Sequence, residues 1–406
     1  MTVSTDTTFR VLPSLRDIPR ADWDACANPG WAGDAPLGDP VAGEPARAPY
    51  NPFVSHDFLW SLEESGAATA KTGWIARHLV VDGPDCRPAA IMPCYVKTHS
   101  RGEYVFDHGW AEAYEQAGGR YYPKLQASVP FTPVTGPRLL VADGTDADRR
   151  RALLADAAVA HAKRLGVSSL HVTFACDADV KALSDNDYLL RTDQQFHFVN
   201  EGYRDFDDFL SALASRKRKA IRRERRDALA GGIDVAHLTG RDLTEKAWDA
   251  FFAFYMDTGS RKWGRPYLNR RFFSLVGERM ADRILLILAY RGRRPIAGAL
   301  NFIGSDTLYG RYWGTTESQP FLHFEVCYYQ AMEWGIAHGL KCVEAGAQGE
   351  HKLARGYRPT TTTSAHWIAD PGFRRAVADY LKRERRQVDH DAGILVGYLP
   401  FKEGSE

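Results

Sequence analysis

Twice along this chain a helical stretch stops at a glycine and runs at once into a short strand. Residues 145–165 open on Thr and Asp caps, close at Gly166 and lead into an apolar strand over 168–174; residues 320–338 close at Gly339 and lead into a strand over 341–345. Pro320 suits a first helical turn and the two glycines suit helix exits. Short β-branched runs precede each unit. They lie at 74–81 and 89–96, followed by a Gly- and aromatic-dense stretch to Leu140, and again at 284–291, 295–303 (joined to it by an RGRR turn) and 307–314. Strands on both sides of a crossing helix demand a mixed sheet. The chain is therefore expected to be α/β (α+β): one arrangement twice over, as domains at 1–195 and 196–406, each a mixed sheet flanked by helices. Residues before about 50, rich in Gly, Pro and Ala from 28 to 49, are expected to be partly irregular, with a helix beginning at Ser55.

With 406 residues, 44% hydrophobic and 25% charged, the composition excludes a disordered, collagen-like or disulfide-knot protein. The 52 Lys and Arg against 51 Asp and Glu leave no global field toward nucleic acid or an anionic membrane. The start MTVSTDTTFRVLPSLRDIPR lacks a signal-peptide pattern, and the longest strongly apolar run is 284–290. These features predict a cytoplasmic protein without a membrane span. Cys26, Cys86, Cys94, Cys176, Cys327 and Cys342 contain no CxxC pair, which predicts reduced structural thiols.

Charge is concentrated in one place. Residues 216–226, RKRKAIRRERR, hold eight bases and one acid, so the rest of the molecule is mildly acidic. Within an expected helix over 206–229, Arg216, Arg218, Lys219, Arg222, Arg223, Arg225 and Arg226 share one half of the helical wheel; Phe206, Phe209, Leu210, Leu213, Ala220 and Ile221 share the other. Only Lys217 breaks the segregation. Like charges on one face repel, so an anion would relieve them. The ridge is either a solvated face balanced by the acidic remainder or a phosphate-contacting surface for a nucleotide, lipid or RNA. With no aromatic interleaved, it would grip backbone and not stack on bases.

The stretches NPFVSHDFLWSLEESG, YYPKLQASVPFTPVTGPRLL, SRKRKAIRRERR, LYGRYWG, LHFEVCYYQ and GAQGEHKLARGYRP run from Asn51 past Pro359. The order of elements resembles the GNAT acyltransferases, and with the basic helix the chain resembles the Fem-type peptidoglycan aminoacyltransferases, most closely the FemAB-like predicted N-acyltransferases. The resemblance implies two tandem GNAT-like domains and transfer of an activated acyl group to an amine. It also implies that the strands at 307–314 and 341–345 splay apart, exposing backbone N–H groups to the acyl carbonyl. Such chemistry needs an oxyanion donor, a base for the ammonium proton and an acid for the leaving group.

Glu344, near the end of its strand, is the candidate base through water, or else an ion-pair partner of Arg355 or Lys352. Lys352 resembles the lysine of the Fem FK element and would stabilise the oxyanion or a donor phosphate. His351 would transfer a proton or make a structural hydrogen bond. Tyr309 and Tyr312, three apart on a strand, should face opposite ways, so at most one reaches the cleft; Tyr309 is the candidate acid, against core packing. His323 and Glu325, two apart on a helix, argue against a metal pair, and no metal is expected.

Acetyl-CoA enzymes of the GNAT type carry a Q/RxxGxG/A turn for pyrophosphate. This chain offers only Arg311-x-x-Gly314-x-Thr316, followed by the acidic Glu317. The donor expected first is aminoacyl-tRNA, held by Arg216, Arg218, Lys219, Arg222, Arg223, Arg226 and Arg311, although the long helical arm of some Fem proteins is absent. Acyl-CoA is the alternative co-substrate, and a non-catalytic binding protein the third reading; no cofactor is expected to be permanently bound. Tyr121, Lys124, Phe131, Thr132 and Arg138 lie in a Gly/Pro-punctuated loop that would line an acceptor pocket, or else form a lid or an interdomain packing surface. The acceptor would be the amine of a cell-wall precursor or of a small secondary metabolite. The sequence does not choose between monomer and homodimer.

Overall fold

The computed structural model of the chain describes residues 9–31, 47–263, 266–346 and 349–402. They group into two compact units, residues 1–193 with 361–388, and 194–360 with 389–406. The expected single cut at 195/196 is thereby corrected. The chain changes unit inside the strands Leu189–Val199 and Arg358–Ile368 and again inside the helix Pro371–Val396, so residues 361–388 pack with the first unit.

The first unit holds a four-stranded antiparallel sheet of Arg10–Leu12, His78–Asp82, Pro88–Met92 and Leu140–Val141. Its second sheet is ordered Arg358–Ile368, Ser169–Ala175, Lys124–Ala127, Tyr95–Lys97, Trp74–Ala76. The apolar runs read as single strands at 74–81 and 89–96 each break in two, and their halves enter different sheets: Trp74–Ala76 pairs with Tyr95–Lys97, whereas His78–Asp82 pairs with Pro88–Met92. Helix Ala147–Leu165 buries Leu154, Ala155, Ala158 and Ala162 in the core and ends at Gly166 in the left-handed conformation (φ 64°). The segment before residue 50 is more regular than its composition suggests, since Arg20–Ala27 is a helix that buries Trp23 and Cys26; residues 32–46 of the irregular stretch lie outside the described residues. None of the six cysteines is in a disulfide, and Cys86 alone is exposed.

In the second unit Ile233–Leu238, Ile284–Arg291, Arg294–Ile303 and Thr307–Thr315 form an antiparallel meander. Cys342–Glu344 joins it parallel to Thr307–Thr315, and Leu189–Val199 pairs antiparallel to Cys342–Glu344. Ile284 to Leu288 are all buried, which is why that strand is a continuous apolar run with no alternation. Helix Glu245–Trp263 packs on the meander where two glycines let it approach. A Cβ at Gly314 would lie 2.1 Å from the Phe254 carbonyl oxygen, and one at Gly298 3.1 Å from the Phe251 ring.

Two expected helices differ in detail. The basic segment is not one helix from 206 but two, Phe206–Ala212 and Ser215–Ala228. Leu213 is extended (ψ 152°), and the freed groups find partners in the C-terminal segment: the Ala214 amide donates to the Pro400 carbonyl (2.9 Å), Leu213 bridges Phe401, and the Lys402 amide donates to the Ala212 carbonyl (3.1 Å). The crossing helix starts at Leu322, not at Pro320, after Phe321 at φ 60°. It widens to a π-helical turn over Glu325–Tyr329 before continuing as Gln330–Ala337. Such turns recur at functional sites.

Candidate active site

The parallel strands pair for only three residues, Thr307 with Cys342, Leu308 with Val343 and Tyr309 with Glu344. Thr307–Thr315 then runs on past the end of Cys342–Glu344, so Gly310 to Thr315 have no ladder partner in that strand. A bulge falls where the pairing ends: Asn301 faces Gly310 and Leu300 faces Tyr312, leaving Arg311 as the extra residue. The bulge cancels one alternation, so Tyr309 and Tyr312, opposite Phe302 and Leu300, share a face, contrary to the simple strand expectation. Tyr312 packs its ring on Tyr255 (5.4 Å between centroids). Tyr309 is buried, and burial followed by the charge of Glu344 raises its pKa well above the ordinary phenol value. It is a wall of the core.

Glu344 finds its partner in Arg311, which neither alternative for its ion pair had named. The Arg311 Nη2 donates to the Glu344 Oε2 at 2.7 Å and its Nη1 to the Gly310 carbonyl at 2.8 Å, with the Arg311 side chain 1% exposed. Arg311 is thus the bulge residue turned back onto a carboxylate; it is not a phosphate ligand at the surface. Gly314, the fourth position of the partial pyrophosphate turn, lies within the strand against Phe254, and Glu317 is paired with Arg291 (3.1 Å) and Arg294. No phosphate-binding turn forms there. His197 faces Glu344 across the adjacent strand, with its Nε2 3.9 Å from the Glu344 Oε1 and 3.2 Å from the Gln195 Oε1. Burial lowers its pKa, Glu344 opposes this, and Arg311 and Lys352 lower it further. The imidazole is neutral at pH 7.

Lys352 sits in the short helical turn Glu350–Arg355, which follows Gly349 at φ 117°. Only 1% exposed, its Nζ donates to the Gly346 carbonyl at 2.9 Å, the one hydrogen bond it makes among the described residues. Burial first, then the cation of Arg311, lower its pKa from 10.5 to about 7. Beside it the His351 Nε2 lies 2.9 Å from the Tyr328 hydroxyl, within an aromatic cluster of Phe324, His323 and Trp313. Glu325, buried, takes the Arg225 guanidinium (2.9 Å) and the Gln330 amide (2.7 Å).

The ridge survives in modified form. Arg216, Lys219, Arg222, Arg223 and Arg226 are exposed and Arg218 is half-buried. Arg225 turns inward to Glu325 and Glu333 (2.6 Å), and Ala220, expected on the buried half, is exposed. Acids thread the ridge: Asp207 pairs with Arg222 (2.9 Å), and Asp227 with Arg223 (3.3 Å) and Arg226 (3.0 Å). Lys217 instead lines a groove of about 680 Å³ with Leu353, Ala354, Ile394, Leu395 and Tyr398.

The residues expected around an acceptor are the interior of the first unit, and that expectation is corrected. Tyr121, Lys124, Phe131, Thr132 and Arg138 are each at most 2% exposed. The YYPK segment leads directly into the strand Lys124–Ala127, so the Gly/Pro punctuation read as a surface loop brackets core. Asp107 accepts from the Lys124 Nζ (2.6 Å) and the Tyr121 hydroxyl (2.6 Å), and Lys124 also reaches the Ser100 Oγ (2.7 Å). Arg138 is spent on the carbonyls of Val134 (2.5 Å) and Pro137 (3.0 Å). The parallel pair of this unit, Lys124–Ala127 with Ser169–Ala175, likewise runs for three residues. A Gln126–Ser128–Thr173 hydrogen-bond chain (2.5 and 2.6 Å) and a bridge between Gly136 and Ala175 hold it together.

His197, Glu224, Tyr328 and Arg355 are site residues to which the sequence alone assigned no role in the chemistry. For His197 a signal existed, since Gln195 and His197 alternate with Phe196 and Phe198 in QFHFV, a strand with one polar face.

Among the described residues no helix is long and apolar enough to cross a membrane. No curated protein matches the chain. Among solved structures it is similar to FemX (14% identity, 77% of this chain and 93% of that one, TM-score 0.49). It is also similar to L-PGS from Bacillus licheniformis (9%, 89% and 100%, 0.47) and to a tandem GNAT protein from the clavulanic acid biosynthesis pathway (13%, 90% and 99%, 0.42). The profile of the FemAB-like family, described as peptidoglycan biosynthesis/recognition, matches residues 14–403. With nearly its whole length inside that profile, the chain belongs to the FemAB-like family.

Proposed function

We propose that this acyltransferase joins an activated acyl group to an amine in the slot of its second unit, with aminoacyl-tRNA as donor and the amine of a cell-wall precursor as acceptor. The observation that carries the reading is the buried Lys352 amine beside the Arg311–Glu344 pair at the point where two parallel strands part. The acyl carbonyl enters beside Gly310, and the acceptor nitrogen attacks its carbon. Lys352, as a cation with hydrogens to spare beyond the Gly346 carbonyl, meets the oxyanion. His351, oriented by Tyr328, takes the ammonium proton, and the proton returns to the donor's ribose oxygen as the C–O ester bond breaks. Glu344 keeps Arg311 in the bulge and gives the slot a negative charge near the incoming ammonium. The exposed arginines of the basic helix support a polyanionic donor.

Purified protein supplied with an amine acceptor and labelled aminoacyl-tRNA should give labelled amide that RNase pretreatment abolishes. Label arriving from acetyl-CoA instead would replace the donor, and no product from either with any amine would end the proposal.

A further inference from the structure

We propose that Arg355, anchored by Glu224, is a positioning residue that clamps the peptide between His351 and Lys352 onto the basic helix. The inference rests on the reading of those two residues as the working groups of the slot. The Arg355 Nη1 donates to the His351 carbonyl at 2.7 Å, and that oxygen belongs to the peptide unit joining His351 to Lys352. Its Nη2 donates to both Glu224 oxygens, at 2.9 and 3.0 Å. The guanidinium lies 3.5 Å from the centre of the Phe324 ring, and the Tyr329 hydroxyl donates to the same Glu224. Three elements meet on one side chain: the basic helix, the crossing helix and the turn.

Two features indicate that this is more than charge balance. Glu224 is the single acid among residues 216–226, yet the positions three and four away, Ala220, Ile221, Asp227 and Ala228, offer it no cation. An acid placed to relieve the helix would sit at those spacings. The turn Glu350–Arg355 is also weak in itself, a short 3-10 piece between Gly349 (φ 117°) and Gly356 (φ 89°). Glycine at both ends leaves the turn free to swivel, and poor hydrogen-bond geometry does little to hold it. Arg355 supplies the missing constraint, its rigid planar fork serving a carbonyl and a carboxylate at once.

The test uses Glu224→Gln, Arg355→Lys and the double swap Glu224→Arg with Arg355→Glu, each checked for an unchanged thermal midpoint. In the transfer assay, the single variants should lose about 10-fold to 100-fold in kcat, with KM for donor and acceptor barely moved. The swap should fail to restore kcat, because a glutamate at 355 has no hydrogen for the His351 carbonyl. In parallel, the pH dependence of Lys352 labelling by an amine-reactive reagent, read by mass spectrometry, needs no turnover. Its midpoint should move toward the ordinary lysine value in both single variants. Wild-type kcat in the single variants, full restoration by the swap, or an unmoved labelling midpoint would each overturn the clamp. If Lys352→Ala keeps wild-type turnover while the midpoint still moves, the catalytic reading has failed and the clamp has not.

Discussion

Lys352 carries two opposite pH dependences on one nitrogen. Its amine titrates at about 7 in the folded chain and 10.5 when free. If the cation meets the oxyanion, turnover falls as pH rises through about 7, and Lys352→Arg, which stays charged, should hold turnover further into the alkaline range. Lys352→Ala should lower kcat about 100-fold to 1000-fold, the cost of removing one oxyanion donor. Stability runs the other way. Because the folded amine gives up its proton more readily than the unfolded one, the penalty for burying it is fully present below pH 7 and is relieved as pH climbs toward 10.5. A pH–rate profile of wild type and Lys352→Arg checks the assignment, and coincident profiles would remove Lys352 from the chemistry. At this scale the sequence was half legible. Lys352, His351 and Glu344 stand in a recognisable block, but the partner of Glu344 lies 33 residues away across a bulge, and bulges leave no signature in strand alternation.

Elements were more legible than their ends. The meander, the crossing helix and its glycine exit follow from apolar runs and punctuation. The break at Leu213 does not, because what ends that helix is a tertiary bond from Ala214 to Pro400, and no local residue announces it. The ridge belongs to this scale too. Asp227 occupies both Arg223 and Arg226, so Asp227→Asn should strengthen tRNA binding and steepen its salt dependence. Replacing Arg218, Arg222 and Arg226 together by Ala should weaken binding and flatten the log–log salt slope by about 0.7–0.9 for each phosphate left without its arginine. Filter binding at several salt concentrations measures both. A slope unchanged in both variants would remove the donor from this helix.

At the scale of the whole molecule, the sequence conveyed that there are two similar halves but not which chain segments compose them, since a strand or helix reads the same whichever unit it joins. It also concealed that the first unit buries ionisable side chains. His171 and His366 lie with their Nδ1 atoms 2.7 Å apart. Burial, aided by Lys124 for His171 and by its imidazole neighbour for His366, lowers the first to about 3 and the second well below its ordinary value. The unfolded chain binds these protons below pH 6.5 and the folded unit refuses them, so their stabilisation is complete above pH 6.5 and drains away as pH falls toward 3. Each refused proton is worth about 1.4 kcal/mol per pH unit. Thermal melting between pH 7 and 4 should show a steep loss that His366→Phe makes shallower; a flat wild-type curve would contradict the neutral pair.

The interleaving of the two units bears on how the chain is made. A ribosome releases residues in order, yet the first unit is incomplete until residues 361–388 emerge, and the hinge before the basic helix is not fastened until Pro400 and Lys402 follow. The first unit cannot finish until most of the second has been synthesised. Its core stays unsealed while residues 194–360 emerge, and is closed only by the strand and helix that follow them.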